Sequence, residues 1–136
     1  MARYHARFEN AVASVGLARR ALVQFAQCAG LEGAGLEDFE CAIGEALANA
    51  VEHGERGFTV TAEIVRGTLG VEIGDGGHGF QGWNELGELR VRSQAPRGFG
   101  IFIMRSLMDR IEYSEGGSKI RLFKRLPARA GARLEA

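Results

Sequence analysis

Two apolar runs joined by a very short connection restrict the fold of this sequence more than any other feature. Residues Phe58 to Val65 and Leu69 to Ile73 are rich in β-branched side chains, and Arg66-Gly67-Thr68 separates them. This pattern is typical of an antiparallel β-hairpin. Two further short segments, Ile111 to Tyr113 and Lys119 to Phe123, are predicted to be strands, and Gly116-Gly117 between them predicts a second hairpin. Two hairpins argue against a doubly wound fold, in which helices separate successive parallel strands.

Three helices are predicted from apolar side chains that recur at intervals of three and four residues. The first covers residues 12 to 26, after a candidate cap at Asn10, and the glycines at 30, 33 and 35 predict a turn region behind it. The second covers Phe39 to Val51, and the third begins at Ile101 and closes near Arg110. Helices therefore do not separate the two strands within either predicted hairpin.

Residues 3 to 8 alternate between polar and apolar side chains, which predicts a half-buried first strand. The complete order is then strand, helix, helix, hairpin, loop, helix, hairpin. We therefore expect an α+β fold, a two-layer α/β sandwich in which helices cover one face of a mixed, mostly antiparallel sheet. The domain is expected to span residues 1–125. Residues 126–136 show no hydrophobic period and are expected to be a disordered tail.

Charge and cysteine content narrow the classes of function. The 17 basic and 17 acidic side chains cancel, so no strong field favours nucleic acid or an anionic membrane as a partner. Neither a secretory signal nor a bilayer-spanning stretch is recognisable, and we expect a cytoplasmic protein. Cys28 and Cys41 fall in predicted apolar helix faces without metal-ligand spacing, so buried free thiols are expected.

Glu45 and Asn49 are candidate site residues because side chains four residues apart on a helix project from one face. The amide oxygen of an asparagine suits a hard divalent cation such as Mg²⁺. A carboxylate beside it can orient or deprotonate a nucleophile. The same pair is also typical of the solvated surface of an amphipathic helix, so the pair alone does not decide between the two interpretations.

Two glycine-rich segments are candidates for ligand contact. Asp75 follows the first predicted hairpin and precedes Gly76-Gly77, where its carboxylate could accept a hydrogen bond from a purine amine at the floor of a cleft. The alternative is an ordinary Asp-Gly turn. Arg97-Gly98-Phe99-Gly100 precedes the third helix, where free amide groups favour a phosphate. The alternative is a plain helix start after Pro96.

Taken together, these segments resemble the motifs of the GHKL ATPases. Gly44 to Gly54, with the sequence GEALANAVEHG, resembles the N-box of that superfamily. Asp75 to Phe80 looks like its first glycine box, and Arg97 to Met104 looks like the second. Within the superfamily the chain most resembles the anti-sigma-factor serine kinases, from the first strand to about Phe123.

The resemblance implies the Bergerat ATP-binding fold, with ATP and Mg²⁺ as cofactors, and a role for each matching residue. Glu45 would be the general base for a protein serine hydroxyl, and Asn49 would ligate magnesium. Asp75 would bind the adenine amine, and Ser118 would stand near adenine. Further nucleotide contacts would come from Gly77, Gly79, Arg97, Gly98, Phe99 and Gly100.

The activity implied by the resemblance is an ATP-dependent protein serine kinase. It would phosphorylate a STAS-domain anti-anti-sigma factor and sequester a sigma factor or another regulator, as a homodimer. The alternative is a nucleotide-gated protein-binding module without kinase activity, since the segment between the glycine boxes, Gln81 to Pro96, is short. The ATPase part of a two-component histidine kinase is disfavoured, because the sequence lacks a phospho-accepting pair of helices.

Overall fold

The sheet is antiparallel throughout the part of the chain that is described, residues 2–53, 56–74, 102–114 and 118–128 of a computed structural model. Its strands follow the order β1-β2-β3-β5-β4. The expected two-layer α+β class is confirmed, and no parallel pair occurs among the described strands. In chain order the elements are β1 (Arg3–Phe8), α1 (Val12–Cys28), α2 (Gly33–His53), β2 (Phe58–Val65), β3 (Thr68–Gly74), the helical residues 102–107 (α3), β4 (Arg110–Ser114) and β5 (Lys119–Arg125).

Alternation along the strands decides which face of the sheet is covered. Val60 pairs with Ile73 and Ile73 with Ile120, and these side chains are 0%, 2% and 6% exposed. One position along, Glu72 pairs with Arg121, and both side chains point to the opposite, open face. The helices therefore pack against one face only, as the sequence pattern predicts.

The helices divide the covered face between them. α1 packs on β1 and β2, whereas α2 packs on β3 and β5. α3 contributes buried Met104 to the same core, and Met108 just beyond it is buried too. Full burial of a large apolar side chain stabilises a fold by about 1.5–3 kcal/mol. The largest fully buried side chains are Phe39, Phe58, Leu22, Ile43, Leu47, Leu69, Ile73, Met104, Leu122, Val60 and Val71.

The connection between β2 and β3 confirms the predicted first hairpin. Arg66 and Gly67 have φ angles of 52° and 77°, and two positive values are characteristic of a type I′ turn. This turn matches the right-handed twist of the two strands. The backbone amide of Leu126 donates a hydrogen bond of 2.9 Å to the carbonyl oxygen of Gly67, so the chain after β5 is fixed to the turn. Leu126 is buried.

The end of α1 confirms part of the predicted turn region and corrects the rest. Gly30, with φ of 105°, donates to the carbonyl of Gln27, and Leu31 donates to Ala26, which together form a Schellman motif. Gly33 and Gly35, however, lie in the first turn of α2. A Cβ at position 35 would stand 3.3 Å from the Leu31 side chain. Glycine there lets the helix begin close to Leu31.

The start of α1 differs from the prediction, because the N-cap position is Ala11 rather than Asn10. Ala11 has an extended backbone, with φ of −146° and ψ of 149°, and no side-chain cap hydrogen bond is formed. The N-cap position therefore falls one residue after the predicted one.

The expectation of buried cysteines was wrong, since Cys28 and Cys41 are both exposed free thiols. In α1 the buried stripe passes through Leu22 and Ala26, and Cys28 lies more than half a turn around the helix from Ala26. In α2 the stripe passes through Ala42, directly after Cys41. None of the described helices combines the length and the apolar character needed to cross a bilayer.

Candidate functional site

α2 carries Glu45 and Asn49 on one flank, and α1 lies against the other. A Cβ on Gly44 would lie 3.7 Å from Nη1 of Arg19 in α1. Successive residues of a helix are separated by about 100°, so Gly44 and the Glu45–Asn49 pair lie on opposite sides of the buried stripe that contains Ala46. Glu45 and Asn49 are both partly buried. The two candidate side chains therefore share a sheltered flank that faces away from α1.

A residue two turns earlier shows what this flank faces. Asp38 precedes Glu45 by seven positions, which places it on the same side of α2. Its Oδ2 atom lies 3.9 Å from Nζ of Lys124 in β5, and that Nζ donates a hydrogen bond of 2.7 Å to the carbonyl oxygen of Leu107 at the end of α3. The flank with Glu45 and Asn49 is therefore directed towards β5 and α3.

The end of α2 and the end of β3 lie at the same end of the sheet. α2 ends at His53, shortly before β2 begins, and Thr59 at the start of β2 pairs with Gly74 at the end of β3. Gly74 pairs in turn with Lys119, the first residue of β5. Ser118, immediately before Lys119, is 9% exposed. Asn49, near the end of α2, and Ser118 thus share this end of the domain.

The remaining predicted site residues lie outside the described part of the chain, and their roles stay predictions. Asp75 follows Gly74 directly, so the strand that leads to it ends beside β5. The described residues therefore place three of the predicted site residues, Glu45, Asn49 and Ser118, and the strand end that precedes Asp75. The others outside the described residues are Gly77, Gly79, Arg97, Gly98, Phe99 and Gly100.

The donor set on this flank suits a cation that obtains most of its ligands elsewhere. Asn49 offers an amide oxygen and Glu45 a carboxylate, which are ligand types that Mg²⁺ accepts. Among the described residues no cluster of three or more His, Cys, Asp or Glu side chains could hold a metal ion. Mg²⁺ in proteins commonly keeps waters and phosphate oxygens and takes only one or two side chains, so Asn49 fits such a site while the Glu45 carboxylate remains available for the acceptor.

Comparison with known proteins identifies the family. Residues 8–124 match the histidine kinase-like ATPase domain. The chain belongs to this family. The match covers Glu45, Asn49 and Ser118, and it ends at Lys124 in β5. The histidine kinase-like ATPase assignment therefore applies to α1, α2 and α3 and to strands β2 to β5 apart from Arg125, whereas of β1 it includes Phe8 alone.

Relatives within the family include serine-protein kinases. The chain is 32% identical over 120 residues to the serine-protein kinase RsbW of Listeria innocua, an alignment covering 78% of this chain and 76% of that protein. The RsbW of Listeria monocytogenes serovar 1/2a gives the same identity and coverage. The resemblance to serine kinases of the GHKL superfamily is confirmed.

A solved structure supports the fold. The RsbU and RsbW domains of Rv1364c from Mycobacterium tuberculosis superpose with a TM-score of 0.67 at 22% sequence identity. The alignment covers 93% of this chain and 33% of that longer one, so the chain spans about a third of its length. At this level of sequence identity the structural similarity shows the fold and nothing about activity.

Two residues on or beside the flank, Asp38 in α2 and Lys124 in β5, were not predicted from the sequence, although each had a recognisable pattern. Asp38 lies seven residues before Glu45, so a repeat of alternating three- and four-residue spacings, continued backwards along α2, would have found it. Lys124 continues the alternation of Ile120 and Leu122, which both point into the core. A lysine at an inward position of a strand requires partners for its charge, and this requirement was the available signal.

Proposed function

We propose that the chain binds ATP together with Mg²⁺ and transfers the γ-phosphoryl group to a serine of a partner protein. The observation that carries the proposal is the partly buried flank of α2, where Glu45 and Asn49 are directed towards β5 and α3. Membership of an ATPase family and similarity to proteins named serine-protein kinases support it.

The proposed site lies between α2, the end of β3 and the start of β5. Asn49 would ligate the magnesium ion through its amide oxygen, and Ser118 would stand beside the adenine. Asp75 would accept a hydrogen bond from the adenine amine, and the segment from Arg97 to Gly100 would hold the phosphates. When bound, Mg²⁺ would neutralise the negative charge that develops on the phosphates during transfer. The protein then contributes mainly position and charge.

In the proposed reaction Glu45 acts on the acceptor rather than on the nucleotide. The serine hydroxyl oxygen forms a bond to the γ-phosphorus, the bond from that phosphorus to the bridging oxygen breaks, and ADP leaves. The hydroxyl proton passes to the Glu45 carboxylate. A general base of this kind typically accelerates a reaction by about 10²–10⁴-fold.

The partners in the proposal are regulators of transcription. The acceptor would be a STAS-domain anti-anti-sigma factor, and the kinase, as a homodimer, would sequester a sigma factor or another regulator when the acceptor is phosphorylated. The reaction would take place in the cytoplasm, where ATP is available.

Substitution of Glu45 tests the proposal. Glu45→Ala should reduce transfer of labelled phosphate from ATP to the serine of a STAS domain at least about 100-fold, because the proton acceptor is lost. The dissociation constant for ATP should change by less than about twofold, since the base does not contact the nucleotide. Glu40→Ala removes an exposed carboxylate from the same helix and serves as the matched control.

Two results would contradict the assignment. Equal transfer rates for the wild type and Glu45→Ala would remove Glu45 from the reaction. Tight ATP binding by the wild type without any label on serine, across a panel of STAS domains, would overturn the kinase proposal. That outcome would favour a nucleotide-gated binding module, in which ATP only shifts the conformation presented to a partner.

A further inference from the structure

Lys124 is a cation at an inward position of β5. Ile120 and Leu122, which precede it on the same face of the strand, are buried in the core. The Lys124 side chain is only 15% exposed. A sheltered ammonium group is costly unless its hydrogen-bonding capacity is used. Its Nζ donates 2.7 Å to the carbonyl oxygen of Leu107 and lies 3.9 Å from Oδ2 of Asp38.

The hydrogen bond from Lys124 to Leu107 caps the carboxyl end of α3. The last carbonyl groups of a helix receive no hydrogen bond from within the helix. A lysine at that end can donate to them, and its positive charge interacts favourably with the helix dipole. Two further hydrogen bonds join the next turn to β5. Asp109 donates from its backbone amide to Phe123 O over 3.0 Å, and its Oδ2 accepts from the amide of Arg125 over 2.6 Å.

The same ammonium group also reaches α2. Asp38 lies near the start of α2, on the flank that carries Glu45 and Asn49, so Lys124 joins α2 to α3 near the end of β5, whereas the proposed nucleotide site lies at the start of that strand. We propose that Lys124 is a positioning residue that sets the spacing between α2 and α3, and through it the affinity for nucleotide. This inference rests on the proposed function, since it assigns a role to the walls of that same site.

The geometry ranks the two partners of Lys124. The hydrogen bond to Leu107 is short and charge-assisted, which makes it the stronger contact. The ion pair with Asp38 is long, and the Asp38 side chain is 43% exposed, so solvent weakens it. Removal of the ammonium group should therefore affect nucleotide binding more than removal of the Asp38 charge.

Binding measurements on three variants test the ranking. Lys124→Met keeps an apolar stem and loses the charge, and we expect the dissociation constant for MgATP to rise about tenfold, the loss expected when one charge-assisted hydrogen bond is removed. Asp38→Asn should raise it about two- to threefold, in the range of an exposed ion pair. Lys124→Arg keeps a cation and should remain within about threefold of the wild type.

Arg121→Met is the matched control. Arg121 lies on the same strand but points to the open face, where it donates a 2.9 Å hydrogen bond to Glu72. Its loss should lower the unfolding midpoint and leave the MgATP dissociation constant unchanged. Hydrogen exchange adds a local measurement, because the amides of residues 102–107 should exchange faster in Lys124→Met and at the wild-type rate in Arg121→Met.

The outcomes separate this inference from the proposed function. A wild-type chain that does not bind MgATP overturns both. Wild-type binding together with an unchanged dissociation constant in Lys124→Met overturns the positioning role alone, as does unchanged exchange of residues 102–107. Should Lys124→Met fail to fold, Asp38→Asn decides, since the Asp38 side chain is 43% exposed and its replacement disturbs the core little, and an unchanged dissociation constant then overturns the role of the Lys124 bridge.

Discussion

Replacement of Gly57 by alanine should destabilise the fold through a clash of backbone and side chain at the start of β2. Gly57 is buried and has a φ angle of 100°, a conformation that residues with a Cβ rarely adopt. A Cβ at this position would stand 2.5 Å from the carbonyl oxygen of Phe8 in β1. The ring of Phe8 stacks on that of Phe58, with centroids 5.4 Å apart, so β1 cannot move away without loss of this contact.

Two terms give the magnitude for Gly57→Ala. Backbone strain in a sparsely populated region costs about 1–3 kcal/mol. Forcing an extra carbon into a packed site costs about a further 1–3 kcal/mol. Alanine also lowers the conformational entropy of the unfolded chain, which stabilises the fold by about 0.4–1 kcal/mol. We therefore expect a loss of about 1–6 kcal/mol, which is large beside the 5–15 kcal/mol that is typical of domains.

Gly67→Ala isolates the steric term. Gly67 also has a positive φ angle, 77°, but nothing lies within 4 Å of a Cβ placed there. Both substitutions share the backbone and unfolded-state terms, so urea unfolding of the two variants should differ by about 1–3 kcal/mol, with Gly57→Ala the less stable. If the two variants lose equal stability, the close approach of Phe8 O is not a constraint on this position.

Two predictions concern pH. Burial raises the pKa of Glu72, but the hydrogen bond from Arg121 and the charges of Lys119 and Arg121 outweigh it, so that the pKa lies below its ordinary value. Glu72 therefore stabilises the fold above about pH 4.3 and loses this effect as the pH falls through its folded-state pKa, so Glu72→Gln should flatten the acid limb of a urea-midpoint profile by at most about 1 kcal/mol. Burial raises the pKa of Tyr113, so folding favours the protonated phenol and stability should fall as the pH rises past about 10. Tyr113→Phe should reduce that alkaline loss, and identical alkaline limbs in the two proteins would contradict the assignment.

The sequence predicted the sheet well because strand patterns are local. Apolar alternation and a short connection were enough for the β2–β3 hairpin, and the register then follows from the turn. The mistakes arose where neighbours in space decide the outcome. Gly33 and Gly35 looked like a turn, yet both lie in the first turn of α2, where Gly33 has a φ angle of 60° and Gly35 stands against the Leu31 side chain. The exposure of Cys28 likewise depends on its direction around α1, which points away from the buried stripe through Leu22 and Ala26.

From residue spacing alone, the sequence predicted only the part of the site that lies on α2. Glu45 and Asn49 were found because four-residue spacing on a helix is visible in any sequence. The bridge from Asp38 through Lys124 to Leu107 joins three elements that are far apart along the chain, and no spacing rule connects them. Ser118 was proposed from family resemblance, and its burial beside the end of β3 depends on the pairing of Gly74 with Lys119.

The bond between Leu126 and the β2–β3 turn has a practical meaning for anyone who shortens or fuses this protein. Leu126 is 4% exposed, and its backbone amide donates a hydrogen bond to the carbonyl oxygen of Gly67. A fragment that ends at Arg125 would therefore lose a core side chain and the hydrogen-bond donor to the hairpin turn. Pro127 and Ala128 beyond it are exposed. A linker or affinity tag should therefore be attached after Ala128.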